Sequence, residues 1–470
     1  MSGDLQRSRY NSFVRRGDGW VGYNARTGSF AHFSASVGDA LQSGKPVVET
    51  VDTPDLLEMG FLHFGDELQQ VISVYQGGHA RGDAISLTIA PTIACNKACA
   101  YCYQNEYRID RVMSPETQDA TVRYVHARVA EGWKTVSCTW YGGEPLLAAD
   151  IVVDLSVRLR QVIDEAGGTL MPMGIITNGT LLDAAMVERL TDVGITFAQI
   201  SFDALVDEGR ESRGVIDPDG EPSVILRNVI HAARHLNLSL RINVHRANAD
   251  DVPRILDILR EHKLDQFVNL ARTSDQDGEV GYVTGPDGQR SKPAAKTLPV
   301  RVVGNAKPPA PVKANPTVMT RPEYARFEQS MFPLRSKSLD LLVSRLTPKT
   351  HFCGATRGTL FVIDPSGNIS RCWDSVGVAS EAMGSVHQVD SDMTETAIAE
   401  KWRTISPFVY PSCTACPVLP LCMGGCSHPR VFMDAKNSPC ESIKFQIRTA
   451  VETIGQIIRL PDLEPAARGE

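Results

Sequence analysis

No apolar run of membrane-spanning length occurs anywhere in the 470 residues, and residues 1–10 are polar. A bilayer helix needs about 20 apolar residues, and a secretory signal needs an apolar core near its start. The sequence therefore predicts no membrane span and no signal peptide, and the expected location is the cytoplasm. Positive charge is also scarce: 48 Lys and Arg stand against 55 Asp and Glu, a formal net charge of −7. That balance supplies no basic field, so no nucleic-acid partner is expected. Apolar content is not lacking. At 42% it is ordinary for a globular protein, and the length calls for about two to four domains.

Cysteine is plentiful, with eleven in the chain. A chain this long has no need of disulfide staples, and several spacings are those of metal sites. An odd count is harmless if the thiols are ligands, and a reducing compartment suits them. Cys95, Cys99 and Cys102 form a C-x3-C-x2-C run just after an apolar strand expected over 85–93. Soft thiolates suit iron–sulfur clusters, zinc or copper(I). Three of them can hold three irons of a four-iron cubane and leave the fourth iron open. Cys138 sits inside an expected strand with no metal-spaced partner and reads as a small buried hydrophobe, a hydrogen-atom donor being the alternative.

Five segments follow in order. Residues 1–80 predict a small module of short strands and helices. Residues 81–275 alternate strand and helix. Strands are expected over 85–93, 135–140, 171–177, 196–202, 239–245 and 266–272. Helices are expected over 115–130, 150–164, 183–190, 224–235 and 250–261. That alternation implies a parallel sheet with right-handed crossovers, its functional groups at the C-terminal strand ends. Residues 276–345 are a linker and bridging region, proline-rich over 307–316. Thr320, Pro322 and Glu323 there predict a capped helix over 320–331. Residues 346–450 hold seven cysteines, Cys353, Cys372, Cys413, Cys416, Cys422, Cys426 and Cys440, with a hairpin expected around 364–367. Residues 451–470 read as a tail.

Polar and glycine motifs fall at the expected strand ends. Tyr141-Gly142-Gly143-Glu144 follows strand two; paired glycines permit close backbone approach. Asn178-Gly179 ends strand three, and Ser201-Phe202-Asp203 ends strand four. Arg241, Asn243 and His245 share one face of strand five by the period of two.

The cysteine run, with Tyr101 before its last member, resembles the cluster loop of radical S-adenosylmethionine (SAM) enzymes. Gly142, Gly143 and Glu144 resemble the glycine motif that supports SAM in that family. The resemblance implies an α/β partial (β/α)6 barrel that cleaves SAM reductively to a 5′-deoxyadenosyl radical. It implies Asn178, Ser201, Asp203, Arg213 and Asn243 around SAM, with Tyr101 near adenine. The C-terminal pattern, with Gly367 ahead of Cys372, resembles the SPASM domain of peptide- and protein-modifying relatives. By that resemblance Cys353, Cys372 and Cys426 hold a first auxiliary four-iron cluster, and Cys413, Cys416, Cys422 and Cys440 hold a second. Three clusters in all are thus implied. Some relatives carry an eighth cysteine before the position of Cys353. None stands here between Cys138 and Cys353, so the first auxiliary cluster has a site that is open or filled by another group. Zinc is the alternative occupant.

The implied activity is hydrogen abstraction from a peptide or protein, forming a crosslink, with a thioether favoured over a carbon–carbon bond. Residues 1–80 resemble the module that captures a leader segment by strand addition, a lid or packing element being the alternative. A flavodoxin or ferredoxin would be the reductant. One rival is a sulfatase-maturing, formylglycine-generating enzyme, whose base would be Asp374, one residue out of the relatives' register. Another is an iron–sulfur electron-transfer or binding protein with no SAM turnover.

Overall fold

The computed structural model describes residues 4–79, 82–99, 101, 102, 104, 111–273, 283, 284, 290, 291, 318–334, 338–388, 396–432 and 440–457. Its centre is one sheet. Six parallel strands stand in chain order: Ala84–Thr92, Thr135–Gly142, Met173–Thr177, Ile195–Phe202, Asn237–Val244 and Val268–Arg272. Five helices lie between the strands, at Pro115–Ala130, Ala149–Glu165, Ala184–Asp192, Val224–Ala232 and Val252–Glu261. Parallel strands buried on both faces read as nearly continuous apolar runs. The first strand follows that rule, being buried at all but two positions.

Local chemistry sets the helix starts. Ser114, Asp183 and Ser223 each accept the backbone N–H three residues on, at 3.2, 2.8 and 3.1 Å. Such caps satisfy amides that have no partner inside the helix. Ile89, Trp140, Ile175, Ile200 and Ile242 from five neighbouring strands are fully buried in one core with the helices. Each such side chain stabilises the fold by about 1.5–3 kcal/mol. Cys138 lies in that core, and burial pushes its thiol up to about 12.

The C-terminal region is not a separate layer. Strand Leu360–Ile363 pairs in parallel with the outer edge of the first barrel strand, Ile363 opposite Ile89. Strands Asn368–Ser370 and Gly384–Ser385 extend the sheet antiparallel. Asp364 closes the expected hairpin by accepting from the amides of Ser366 and Asn368 at 2.8 and 3.0 Å. Gly367 there has φ of +81°, which favours glycine.

The N-terminal module is a three-stranded antiparallel sheet, Asn11–Arg16, Gly19–Asn24 and Phe30–Phe33, followed by helices Ala35–Gln42, Thr53–Glu58 and Glu67–Gly78. One face packs on helix Ile443–Ile457, with Tyr10, Val14 and Val21 in one cluster with Ala450, Val451 and Ile454. This helix crosses the boundary expected at 450/451, so the chain before residue 457 is packed structure, not tail. The amphipathic pattern there is helical, but its partner lies more than 400 residues away in sequence.

The capping box at Thr320 forms as expected, with Thr320 N–H reaching Glu323 at 2.7 Å. The proline-rich stretch 307–316 lies outside the described residues. No helix among those described is long and apolar enough to cross a membrane.

Candidate active site and cysteine centres

The first barrel strand ends at Thr92 and delivers the cysteine loop to the C-terminal edge of the sheet. Lys97, inside that loop, fixes it. Its ammonium group reaches Asp207 at 2.8 Å and the carbonyls of Gly209 and Ser212 at 2.5 and 2.8 Å. Cys102 N–H donates to the Cys99 carbonyl at 3.0 Å, and the Asn178 side chain meets Cys95 Sγ at 3.8 Å. Burial pushes the Cys99 thiol up to about 11, with Arg213 opposing. Such a thiol ionises when a metal takes it.

Gly142 and Gly143 bring the second strand against this loop. A Cβ on Gly142 would lie 2.2 Å from the Thr92 carbonyl oxygen, and one on Gly143 would lie 2.3 Å from that of Ala94. Gly142 also has φ of +131°. Only glycine fits either position. The two amides that follow complete the join: Gly143 N–H donates to Thr92 at 3.1 Å and Glu144 N–H to Ala94 at 2.8 Å.

A cavity of about 230 Å³ opens over this junction. All three loop cysteines line it, and so do Tyr101, Gly142, Gly143, Asn178, Ser201, Arg213 and Asn243. The resemblance also implied Glu144, either at the SAM amine or fixing the loop, and Asp203 near SAM; neither is among the residues lining the cavity. Glu144 is fully buried behind the wall. One carboxylate oxygen accepts from Thr177 Oγ1 at 2.7 Å and Leu146 N–H at 3.0 Å, the other from Asn178 N–H at 2.7 Å. It locks the glycine turn to the tip of strand three. Burial raises its pKa and these donors oppose the rise.

Asp203 is likewise turned to a protein partner. It accepts from Arg213 Nε at 2.8 Å, from Arg213 N–H at 2.7 Å and from the Tyr101 hydroxyl. Arg213 also donates to Tyr101, and Asn243 reaches the same hydroxyl at 3.2 Å. Arg213 was expected at the SAM carboxylate and Tyr101 at adenine. Both line the cavity, and there the Arg213 guanidinium and the Tyr101 hydroxyl also bond to one another and to Asp203.

Sequence reasoning missed several lining residues. Gln199 is two residues before Ser201 on the same face, so the period of two could have found it. Asp374, the candidate base of the sequence, lines the cavity too, and Trp373 beside it had no such signal. They come from the C-terminal region and reach the barrel mouth because its hairpin joins the barrel sheet. Trp373 Nε1 donates to Thr88 Oγ1 at 3.1 Å and its ring lies 5.6 Å from Tyr141.

Asp374 also faces the next set of cysteines, its carboxylate 3.7 Å from Cys372 Sγ. Burial first, then Asp374 and Cys426, push the Cys372 thiol well up. Burial, then Asp374, with Cys353 also contributing, pushes Cys426 up to about 12. Cys353, Cys372, Cys426 and Asp374 are therefore mutual neighbours. Cys413, Cys416, Cys422 and Cys440 line a separate cavity of about 30 Å³ with Arg430 and Lys444. Among the described residues, no group of three or more His, Cys, Asp or Glu is arranged around a single metal ion. The two sets are soft donors, half-buried except for the buried Cys416, in the chemistry that suits iron–sulfur clusters.

The sequence model of the Radical SAM superfamily matches residues 89–268. The chain is 27% identical over 174 residues to an Fe-coproporphyrin III synthase of Methanosarcina barkeri, with 37% of this chain and 40% of that one covered. It is 30% identical over 166 residues to a PqqA peptide cyclase of Granulibacter bethesdensis, covering 35% and 41%. It is 34% identical over 103 residues to a serine-type anaerobic sulfatase-maturating enzyme of Klebsiella pneumoniae, covering 22% and 26%. The chain thus spans less than two thirds of the length of these curated relatives. A solved structure of native anSMEcpe with bound AdoMet and Cp18Cys peptide aligns at a TM-score of 0.54 and 17% identity, over 79% of this chain and 99% of that one. At that identity the likeness is one of fold. The chain thus carries a region of the radical SAM type over residues 89–268, the span that holds the cysteine loop, the glycine turn and strands two to five of the sheet.

Proposed function

We propose that this protein oxidises a side chain of a peptide or protein substrate held between the Cys95/Cys99/Cys102 loop and Asp374. Bound SAM and iron–sulfur groups supply the hydrogen-abstracting radical and take up the one electron the substrate gives. The chain's own residues do the rest. Gly142 and Gly143 leave backbone room for SAM, and Trp373 and Tyr141 wall the cavity. Asp374 takes the proton of the substrate hydroxyl or thiol.

The observation that carries this reading is the position of Asp374. It lines the cavity of the cysteine loop and also stands 3.7 Å from Cys372 Sγ. A carboxylate there suits oxidation of serine or cysteine toward formylglycine: a Cβ hydrogen atom leaves to the radical, a proton goes to Asp374, and one electron departs, giving the aldehyde from serine and, from cysteine, a thioaldehyde that water hydrolyses with release of hydrogen sulfide. The sulfatase-maturating relative and the peptide-bound neighbour of like fold favour that outcome over the crosslink expected from the sequence. The crosslink remains the second reading, favoured by the seven-cysteine count and by the PqqA peptide cyclase. Anaerobic turnover with SAM, dithionite and peptides bearing serine or cysteine separates them. A hydrazide-trapped aldehyde is expected. Loss of an alkylatable thiol without an aldehyde would establish the crosslink.

Two supports favour a leader-binding role for the N-terminal module. Strand Phe30–Phe33 stands at one end of its sheet. A cavity of about 570 Å³ in the same module is lined in part by Leu41, Val47, Leu56 and Leu62. Strand addition beside an apolar cavity is a recurring mode of peptide capture. A flavodoxin or ferredoxin remains the proposed reductant.

A further inference from the structure

The two C-terminal cysteine sets differ in their charged neighbours. Around Cys413, Cys416, Cys422 and Cys440, two cations touch sulfur. Arg430 Nη2 donates to Cys413 Sγ at 3.4 Å, and Lys444 Nζ donates to Cys440 Sγ at 3.2 Å. Arg430 is buried, and its guanidinium is fixed over the Tyr410 ring at 4.2 Å. The acid in this cavity wall, Glu441, has its own counter-ion in Arg321 at 3.2 Å. At the other set, the charged side chain meeting Cys372 is a carboxylate, Asp374.

Reducing an iron–sulfur cluster adds negative charge. Cations and hydrogen-bond donors at its sulfurs therefore raise its potential, and a nearby carboxylate lowers it. We propose that Arg430 and Lys444 hold the cluster of the Cys413/Cys416/Cys422/Cys440 set at a higher reduction potential than that of the Cys353/Cys372/Cys426 set. The four-cysteine site is then the favoured resting place for the electron that substrate oxidation releases. Cys422 and Cys426 belong one to each set and are four residues apart, so their Cα atoms are at most about 14 Å from each other. The direction of electron release rests on the proposed oxidation, but the order of potentials does not.

The test is a potentiometric titration followed by electron paramagnetic resonance, without SAM or peptide. The reconstituted full chain carries Cys95→Ala, Cys99→Ala and Cys102→Ala, which removes the SAM-loop signal. Adding Cys413→Ala assigns the four-cysteine signal. That signal should titrate at the higher potential. Lys444→Met and Arg430→Met should each lower it, and Lys444→Arg should restore it. The three-cysteine signal should move less. If buried Arg430→Met loses iron, the exposed Lys444→Met decides. A four-cysteine signal at the lower potential, or one unmoved by Lys444→Met, overturns the proposal. Because no substrate is present, that failure is distinct from failure of the oxidase reading, which the aldehyde assay judges.

Discussion

Glu144 receives the backbone N–H of Asn178 at 2.7 Å, and so ties the glycine turn after strand two to the tip of strand three. Its carboxylate works from behind the cavity. Replacing it with alanine leaves Asn178 N–H, Leu146 N–H and the Thr177 hydroxyl without their acceptor. Each unmet buried donor costs about 1–3 kcal/mol. Glu144→Ala should therefore lower stability by roughly 3 kcal/mol or more and weaken SAM binding, whereas Glu144→Gln, which keeps an acceptor oxygen, should lose less. Thermal unfolding and SAM titration check this. Equal losses in both variants would contradict it.

Gly143→Ala drives a methyl into two backbone carbonyls, those of Ala94 and Ile93, at 2.3 and 2.4 Å. Backbone cannot swing aside as a flexible side chain can. SAM affinity should fall at least about tenfold, which is about 1.4 kcal/mol. Gly44→Ala, which meets nothing within 4 Å, serves as the neutral comparison. Unchanged SAM affinity in Gly143→Ala would remove the glycine turn from the site.

Lys97 anchors the cysteine loop through four contacts to residues 207–212. Lys97→Met cuts all of them while keeping the length of the side chain. The Cys95/Cys99/Cys102 site should then hold iron less firmly. Iron should leave faster to a chelator, by about one cluster per chain, and the two C-terminal sets should be spared. Loss spread evenly over all sites would point to general unfolding instead.

The sheet was legible because its strands carry apolar residues in runs or in alternation, and three of the helices between them start at a readable cap, Ser114, Asp183 or Ser223. The cysteine loop and the glycine pair were legible because only those residue types serve there. Other features depend on contacts between distant segments. Nothing near residue 144 announces that its carboxylate meets Asn178 N–H. Nothing near residue 213 announces that Arg213, which lines the cavity, also pairs with Asp203 and Tyr101. Trp373 and Asp374 became cavity residues through the pairing of Leu360–Ile363 with Ala84–Thr92, a register that local sequence does not encode.

His245 lies beside the Tyr101 ring, 5.9 Å between centroids, and burial lowers its pKa. A base with a folded-state pKa below its unfolded value binds fewer protons when folded. Stability then falls as pH drops through the ordinary histidine value of about 6.5. The unfolding midpoint should decline between about pH 7.5 and 6, and His245→Gln should flatten that decline. An identical slope in the variant would contradict this account.

Asp374→Asn tests the proposed proton acceptor. The variant should fold, keep its iron and still cleave SAM to 5′-deoxyadenosine. Aldehyde formation should drop by about 100-fold or more, the usual contribution of a general base. Full product yield would make Asp374 a structural residue.

The most direct measurement is iron and acid-labile sulfide per chain after anaerobic reconstitution, together with 5′-deoxyadenosine formed from SAM and dithionite. It is made on the natural sequence and on a variant with Cys95, Cys99 and Cys102 all changed to alanine. Three four-iron clusters predict about twelve iron falling to about eight, with 5′-deoxyadenosine lost in the variant. About four iron falling to none, with zinc on the remaining cysteines, or 5′-deoxyadenosine persisting in the variant, would contradict the account.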